Sequence, residues 1–170
     1  YWVSNCDVAH MCVGSTVGPN IFVKICGWST AQISRELKIQ IGSEFKKIPK
    51  KIKLINCVGG GSSAYGFWSE FIDYEKKQIE LIGVEAGGPK NSKLHAAPLT
   101  NDAKLGILHG AAAYVCQNNE GQINNTESIS AGLDYPGVSP IHCFLKDTIL
   151  RVNSWGDAKK DRDILKDRLG

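Results

Sequence analysis

The chain has 170 residues, of which 42% are apolar and 22% charged, and it carries a formal net charge of +3. This composition is ordinary for a globular protein, and the length allows one domain with a sizeable core. The charge is mild and no apolar run has the length of a membrane span, so neither a nucleic-acid nor a membrane partner is expected. Six dispersed cysteines without a Cys-x-x-Cys pair predict reduced thiols and a cytoplasmic location.

The first predicted elements are a short buried strand and an amphipathic helix. The strand covers the small, apolar residues Ala9–Val17, and the helix covers about Ser29–Phe45. The helix is predicted because Ile33, Leu37 and Ile41 recur at helical spacing between charged residues. The chain begins without Met, on apolar residues, and we expect it to start partway through a larger protein.

The most informative stretch is a strand, a glycine loop and a helix. An apolar run at Lys53–Val58 leads into Gly59–Ser63, and a helix is predicted over Ala64–Ile72, with another strand at Gln78–Glu85. Such a β-α-β unit has parallel strands, and ligands lie beyond their carboxyl ends. Glycines let backbone N–H groups approach a ligand closely, so the loop predicts a phosphate site. Taken alone, the loop is equally compatible with a plain glycine turn.

A second unusual segment, Ser128–Val138, is rich in turn formers but also apolar. We expect it to be buried and therefore to line a site or bind an ion, since buried backbone groups need partners. Asp134 lies within it, and a single loop aspartate is more often a cap or turn acceptor than a catalytic group. The highly charged Asp157–Leu169 predicts a solvated helix or a frayed tail.

Together these segments resemble the tryptophan synthase β subunit family. The motifs that carry the resemblance are Val58-Gly-Gly-Gly-Ser-Ser-Ala64, Leu81-Ile-Gly-Val-Glu85, His95-Ala-Ala97, Leu108-His-Gly110, Asn118-Asn-Glu-Gly-Gln122 and Ser128-Ile-Ser-Ala-Gly-Leu-Asp-Tyr-Pro-Gly-Val138. The resemblance covers about Trp2–Asp147. It implies an α/β fold, a three-layer αβα arrangement with a parallel sheet, as a partial fold-type II pyridoxal-phosphate enzyme domain over residues 1–147. A divergent charged tail would follow over residues 148–170.

The resemblance also implies a function and a set of site residues. The family condenses L-serine with indole to L-tryptophan using pyridoxal phosphate, as a β homodimer with an α subunit. Asp134 would position the hydroxyl of the serine substrate. The cofactor phosphate would be held by Gly59, Gly60, Gly61, Ser62 and Ser63, where Ser63 replaces the usual Asn. A monovalent cation would be held by the backbone carbonyls of Gly59, Tyr135 and Gly137.

Several departures leave the activity open. The Schiff-base lysine of the family, in an Ala-His-Lys-x-Asn setting, has no counterpart in this sequence, so covalent attachment at that position is not expected. Gly27 stands where the family normally keeps an Arg in a helix. The alternative is a non-catalytic, truncated remnant that at most binds a phosphate ligand or a partner.

Overall fold

The computed structural model describes residues 20–45, 51–73, 78–100, 103–148 and 151–155. The helices and strands in chain order are α1 (Asn20–Thr30), α2 (Gln32–Glu44), β1 (Ile52–Cys57), α3 (Ser62–Trp68), β2 (Ile79–Ala86), β3 (Lys104–Leu108), β4 (Ala111–Val115), α4 (Pro140–Thr148) and β5 (Arg151–Trp155). Two 3-10 turns, Ser69–Phe71 and Ala131–Leu133, complete the set. The predicted strand at Ala9–Val17 and the charged stretch at Asp157–Leu169 lie outside the described residues.

A parallel three-stranded sheet with the order β1-β2-β5 organises the fold. Ile52 pairs with Ile79 and Cys57 with Val84, so β1 and β2 run side by side to the same edge. The central strand β2 is buried along most of its length, which is typical of a parallel strand covered on both faces. The α/β class, the parallel sheet and the β1-α3-β2 unit predicted from the sequence are confirmed. The third strand comes from the segment after residue 147.

The predicted helix at Ser29–Phe45 is present as two helices, α1 and α2, that meet at a turn at Ala31. Two glycines let α1 lie close to α3. A Cβ on Gly27 would lie 2.9 Å from Tyr65 Cε1, and one on Gly66 would lie 2.7 Å from the Thr30 carbonyl oxygen. Both positions therefore need the small residue that helix propensity alone disfavours.

The core lies between the sheet, α3 and the start of α4. Its buried members are Leu54, Val58, Ala64, Trp68, Phe71, Ile79, Leu81, Leu99, Val138 and Leu145. Trp68 and Ala64 are fully buried on one face of α3, and Leu145 lies on α4. This packing fixes the positions of both helices next to the carboxyl ends of the strands.

Outside the parallel sheet, β3 and β4 form an antiparallel hairpin. Its two-residue turn has positive φ at both His109 (51°) and Gly110 (75°), the backbone form that two-residue hairpins favour. Leu105 and Ile107 on β3 are 72% and 70% exposed. Within the described residues, no helix is both long enough and apolar enough to cross a membrane.

Candidate functional site

The glycine loop lies at the carboxyl end of β1, beside the carboxyl end of β2. The Val58 N–H donates to the Val84 carbonyl at 2.8 Å, which extends the pairing of the two strands by one residue. The chain then bends through Gly59–Gly61, and α3 begins at Ser62. The predicted order of strand, loop and helix is confirmed, with the helix two residues earlier than expected.

Gly61 can only be a glycine in this arrangement. Its φ of 106° is left-handed, a conformation that costs side-chain-bearing residues roughly 1–2 kcal/mol. A Cβ at this position would also lie far inside van der Waals contact with His142 Cδ2. The backbone conformation and the close approach of α4 thus impose the same residue.

Two carbonyl groups of the loop, those of Gly60 and Gly61, accept hydrogen bonds from the start of α4. The Ser139 N–H donates to the Gly60 carbonyl at 2.9 Å, and His142 Nε2 lies 2.6 Å from the Gly61 carbonyl oxygen. Among the described residues, the amide groups of Gly59 to Ser63 have no hydrogen-bond acceptor. The Gly60 and Gly61 carbonyls are therefore satisfied, whereas the amide donors of the loop are available.

The orientation of these donors follows from peptide geometry. In a trans peptide the C=O and the N–H of the next residue point in opposite directions. Because the Gly60 and Gly61 carbonyls face α4, the N–H groups of Gly61 and Ser62 point away from it. Backbone N–H groups converging beyond the end of a strand are a common anion site.

The two serines after the glycines differ in exposure. The Ser62 side chain is half-buried, whereas Ser63 is exposed. Ser63 Oγ accepts a long hydrogen bond of 3.4 Å from Asn56 Nδ2, which links the helix start back to β1. Both hydroxyls lie at the first turn of α3, next to the glycine amides.

The Ser128–Val138 segment packs against the glycine loop, as a shared site requires. A Cβ on Gly59 would lie 3.1 Å from Leu133 Cδ2, so the loop and the segment are in contact. The prediction that the segment is buried is wrong for its first half, because Ile129 is 56% exposed and Asp134 is exposed at the end of a 3-10 turn. Only the second half, with Tyr135, Gly137 and Val138, is buried.

The buried half is fixed to the hairpin strand β4. Gly137 forms an antiparallel bridge with Val115, and the Cys116 N–H donates to the Pro136 carbonyl at 2.7 Å. The Tyr135 ring stacks on His109 with their centroids 5.9 Å apart. The segment thus spans from the hairpin to the glycine loop, while the cation site at Gly59, Tyr135 and Gly137 stays a prediction.

A buried carboxyl group at the end of β2 was not singled out as a site residue. Glu85 is fully buried and accepts hydrogen bonds from the Leu99 N–H at 2.9 Å, the Thr100 N–H at 3.0 Å and Thr100 Oγ1 at 2.8 Å. Burial raises the pKa of Glu85 from its ordinary value of 4.5 to about 7, although these hydrogen bonds and the charge of Lys146 act in the opposite direction. The sequence signal that could have identified Glu85 is its position as an acidic residue directly after the apolar run Leu81–Val84.

The sequence reasoning also missed His142. Its side chain is fully buried and contacts Trp68 edge-on, with 5.9 Å between the ring centroids. Burial lowers the pKa of His142, and the hydrogen bond to Gly61 offsets this in part. The only signal in the sequence is a single histidine among the apolar residues that follow Ser139-Pro140.

A polar cavity of about 310 Å³ lies elsewhere, between the 92–95 segment and the end of β4. Its described lining residues are Ser92, Lys93, Leu94, His95, Ala103, Cys116, Gln117, Asn124 and Asn125. None of these belongs to the glycine loop or to the Ser128–Val138 segment. The cavity is therefore separate from the candidate site.

Comparison with known proteins finds curated relatives of the chain. No protein-family model matches the chain. A tryptophan synthase beta chain from Chromobacterium violaceum is 42% identical to it over 147 residues, which is 86% of this chain and 36% of the relative. The chain thus spans about a third of the length of this curated relative.

Proposed function

Because the chain is a partial tryptophan synthase beta-like protein, we propose that its glycine loop binds the phosphate of pyridoxal phosphate. The observation that carries the proposal is the loop itself. Its Gly60 and Gly61 carbonyls are bound by α4, and its amide donors at Gly61 and Ser62 have no acceptor in the described part of the chain. A phosphate group offers the acceptor oxygens that such donors need.

The residues present fit a phosphate monoester. The glycines carry no side chain that would keep an anion from the backbone, and the Ser62 and Ser63 hydroxyls can donate further hydrogen bonds. Bound pyridoxal phosphate supplies an electron sink for chemistry at an amino-acid carbon. In this proposal the described residues would hold the phosphate end of the cofactor and fix its position.

The same proposal extends to the reaction, partners and remaining site residues of the family. The parent reaction would condense L-serine with indole to L-tryptophan in the cytoplasm, with an α subunit and a second β chain as partners. Asp134 would orient the serine hydroxyl, which is supported by its exposed position on the segment that contacts Gly59. Carbonyls of Gly59, Tyr135 and Gly137 would hold a monovalent cation. The alternative of a non-catalytic remnant gains no added support from the relative.

The proposal is tested by comparing ligands that differ only in the phosphate. The full chain is titrated with pyridoxal phosphate and with pyridoxal, and the amide signals of Gly59–Ser63 are followed by nuclear magnetic resonance. We expect pyridoxal phosphate to bind at least about tenfold more tightly, because charge-assisted hydrogen bonds each contribute roughly 1.5–3 kcal/mol. The shifted signals should include Gly61 and Ser62.

Two variants give the matched comparison. Ser62→Ala removes a hydroxyl at the loop, and Ser92→Ala removes one at the separate polar cavity. We expect only Ser62→Ala to weaken the binding of pyridoxal phosphate. Equal affinity of the wild-type chain for pyridoxal and pyridoxal phosphate would refute the proposal.

A further inference from the structure

We propose that His142 is a positioning residue for the phosphate site, which orients the Gly61–Ser62 peptide so that its N–H group faces the ligand. This inference rests on the proposed function, since it assumes that the glycine loop binds a phosphate. It assigns His142 no contact with the ligand. The residue acts through the loop backbone, together with the Ser139 N–H.

The contact between His142 and the loop defines the state of the ring. A carbonyl oxygen only accepts, so His142 Nε2, 2.6 Å from the Gly61 oxygen, must carry the proton. In the neutral ring Nδ1 is then an unprotonated acceptor. That nitrogen is buried and has no hydrogen-bond partner in the described part of the chain.

The unpaired Nδ1 indicates that the hydrogen bond from Nε2–H, and not burial, explains why a histidine occupies this position. Burying an acceptor without a partner costs roughly 1–3 kcal/mol, and a leucine would fill similar space without that cost. Burial among apolar groups is therefore not what favours a histidine here. The single interaction that an apolar residue could not replace is the hydrogen bond to Gly61.

Three hydrogen bonds together determine how the loop presents its donors. Ser139 N–H holds the Gly60 carbonyl, and the Gly61 carbonyl accepts from both the Tyr65 N–H, at 2.9 Å, and His142. These bonds fix two peptide planes, and the opposite edges of the planes carry the N–H groups of Gly61 and Ser62. Without the His142 bond, only the Tyr65 N–H among the described groups restrains the Gly61–Ser62 peptide, and the peptide is less firmly oriented because a glycine has little steric restriction.

The position of the ring is itself fixed from both sides. The fully buried Trp68 contacts it edge-on from α3, and the backbone of Gly61 lies so close that a Cβ would overlap the imidazole. The ring therefore lies between the glycine loop and the helix that follows it. Because the donors are already ordered, binding of an anion does not carry the entropy cost of ordering the loop.

The first measurement examines the ring directly. Imidazole nitrogen shifts of the full chain are recorded by nuclear magnetic resonance between pH 5 and 8. We expect the neutral Nε2–H tautomer throughout most of this range. An Nδ1–H tautomer would overturn the inference whatever the ligand does.

The second measurement separates positioning from folding. His142→Leu removes the donor at similar volume, His142→Gln retains an N–H donor, and Phe144→Ala changes an exposed side chain on the same helix. The affinities for pyridoxal phosphate and pyridoxal are measured for each. We expect His142→Leu to lose about threefold in affinity for pyridoxal phosphate and none for pyridoxal, because the Gly61–Ser62 peptide loses one of the two hydrogen bonds that orient it. His142→Gln should recover most of the loss, and Phe144→Ala should bind as the wild type does.

The outcomes distinguish this inference from the proposed function. If the wild type prefers pyridoxal phosphate and His142→Leu keeps that preference, the inference fails and the proposed function stands. If the wild type shows no preference, the proposed function fails and the inference falls with it. Should His142→Leu not fold, loss of affinity in folded His142→Ala with recovery in His142→Gln supports the inference, and unchanged affinity in His142→Ala contradicts it.

Discussion

The carboxyl ends of β1 and β2 lie side by side, but the hydrogen-bonding groups at the two ends differ. Beyond β1, the amides of Gly61 and Ser62 have no acceptor among the described residues. At the end of β2, the Glu85 carboxyl group receives three hydrogen bonds from Leu99 and Thr100. Within the described part of the chain, the end of β1 therefore has unpaired donors, and we call it the open end. At the end of β2 the protein's own Glu85 already accepts from the donors, and we call it the closed end.

This difference identifies which edge of the sheet is available to a ligand. The Leu99 and Thr100 donors form a small anion-binding arrangement, but a side chain of the same protein already occupies it. The glycine loop has the corresponding donors and only small residues that cannot fill the space. An external anion therefore has a place at β1 and none at β2.

The largest expected effect comes from filling the space at the loop. Gly61→Ala must adopt a φ of 106° and overlaps His142. We expect it to lower the free energy of unfolding by about 4 kcal/mol, the sum of left-handed strain and overpacking. Chemical unfolding of the purified chain measures this change.

Gly132→Ala is the matched control for that prediction. Gly132 lies on the neighbouring segment, and a Cβ there meets nothing within 4 Å. Its effect should stay within about 0.5 kcal/mol. If both variants unfold alike, the tight contact between Gly61 and α4 does not exist in solution.

The next largest effect is the pH dependence of the free energy of unfolding that Glu85 causes at the closed end. The folded state raises the pKa of Glu85 from 4.5 to about 7, so it binds the proton more tightly than the unfolded chain does. The stabilisation is complete below pH 4.5 and is lost as the pH rises to about 7. The total is about 3 kcal/mol at roughly 1.4 kcal/mol per pKa unit.

Glu85→Gln isolates this contribution because the amide does not titrate. Urea unfolding at several pH values should show the wild type losing about 3 kcal/mol relative to Glu85→Gln between pH 4.5 and 7, and no further change above. A flat difference would mean that Leu99 and Thr100 keep the carboxyl ionised. The two strand ends would then be alike, each a set of donors suited to an anion.

The smallest expected effect refines the open end. Ser63→Asn introduces, at an exposed position of α3, the residue that the family resemblance implies there. An added amide donor near the loop should strengthen pyridoxal phosphate binding about two- to fivefold, the size of one modest hydrogen bond. Titration of Ser63→Asn beside Ser63→Ala measures it, and equal affinity of both variants and the wild type would exclude Ser63 from the phosphate site.

Local patterns predicted the part of the site that is continuous in sequence. The apolar run, the glycines and the following helix lie within one stretch, Lys53–Ile72, so their order and position were readable. The two strands β1 and β2 were likewise predicted to within a residue or two. The contact between this loop and the Ser128–Val138 segment followed only from family resemblance.

The remaining features depend on contacts between distant residues. His142 lies 81 residues from Gly61 in the chain, and no local pattern links them. Ile129 was expected inside because it is apolar, yet it is exposed at the start of its segment. The β3–β4 hairpin has small residues without clear alternation, so its strands gave no periodic signal.

The close crossing of α1 and α3 makes the residues at positions 27 and 65 interdependent. At Gly27 α1 meets the Tyr65 ring, and a side chain there would strike the ring. A larger residue at position 27 fits only if Tyr65 leaves its rotamer or is replaced by a smaller residue. Substitutions at the two positions should therefore be non-additive, and their combined effect on the free energy of unfolding should differ from the sum of the single effects.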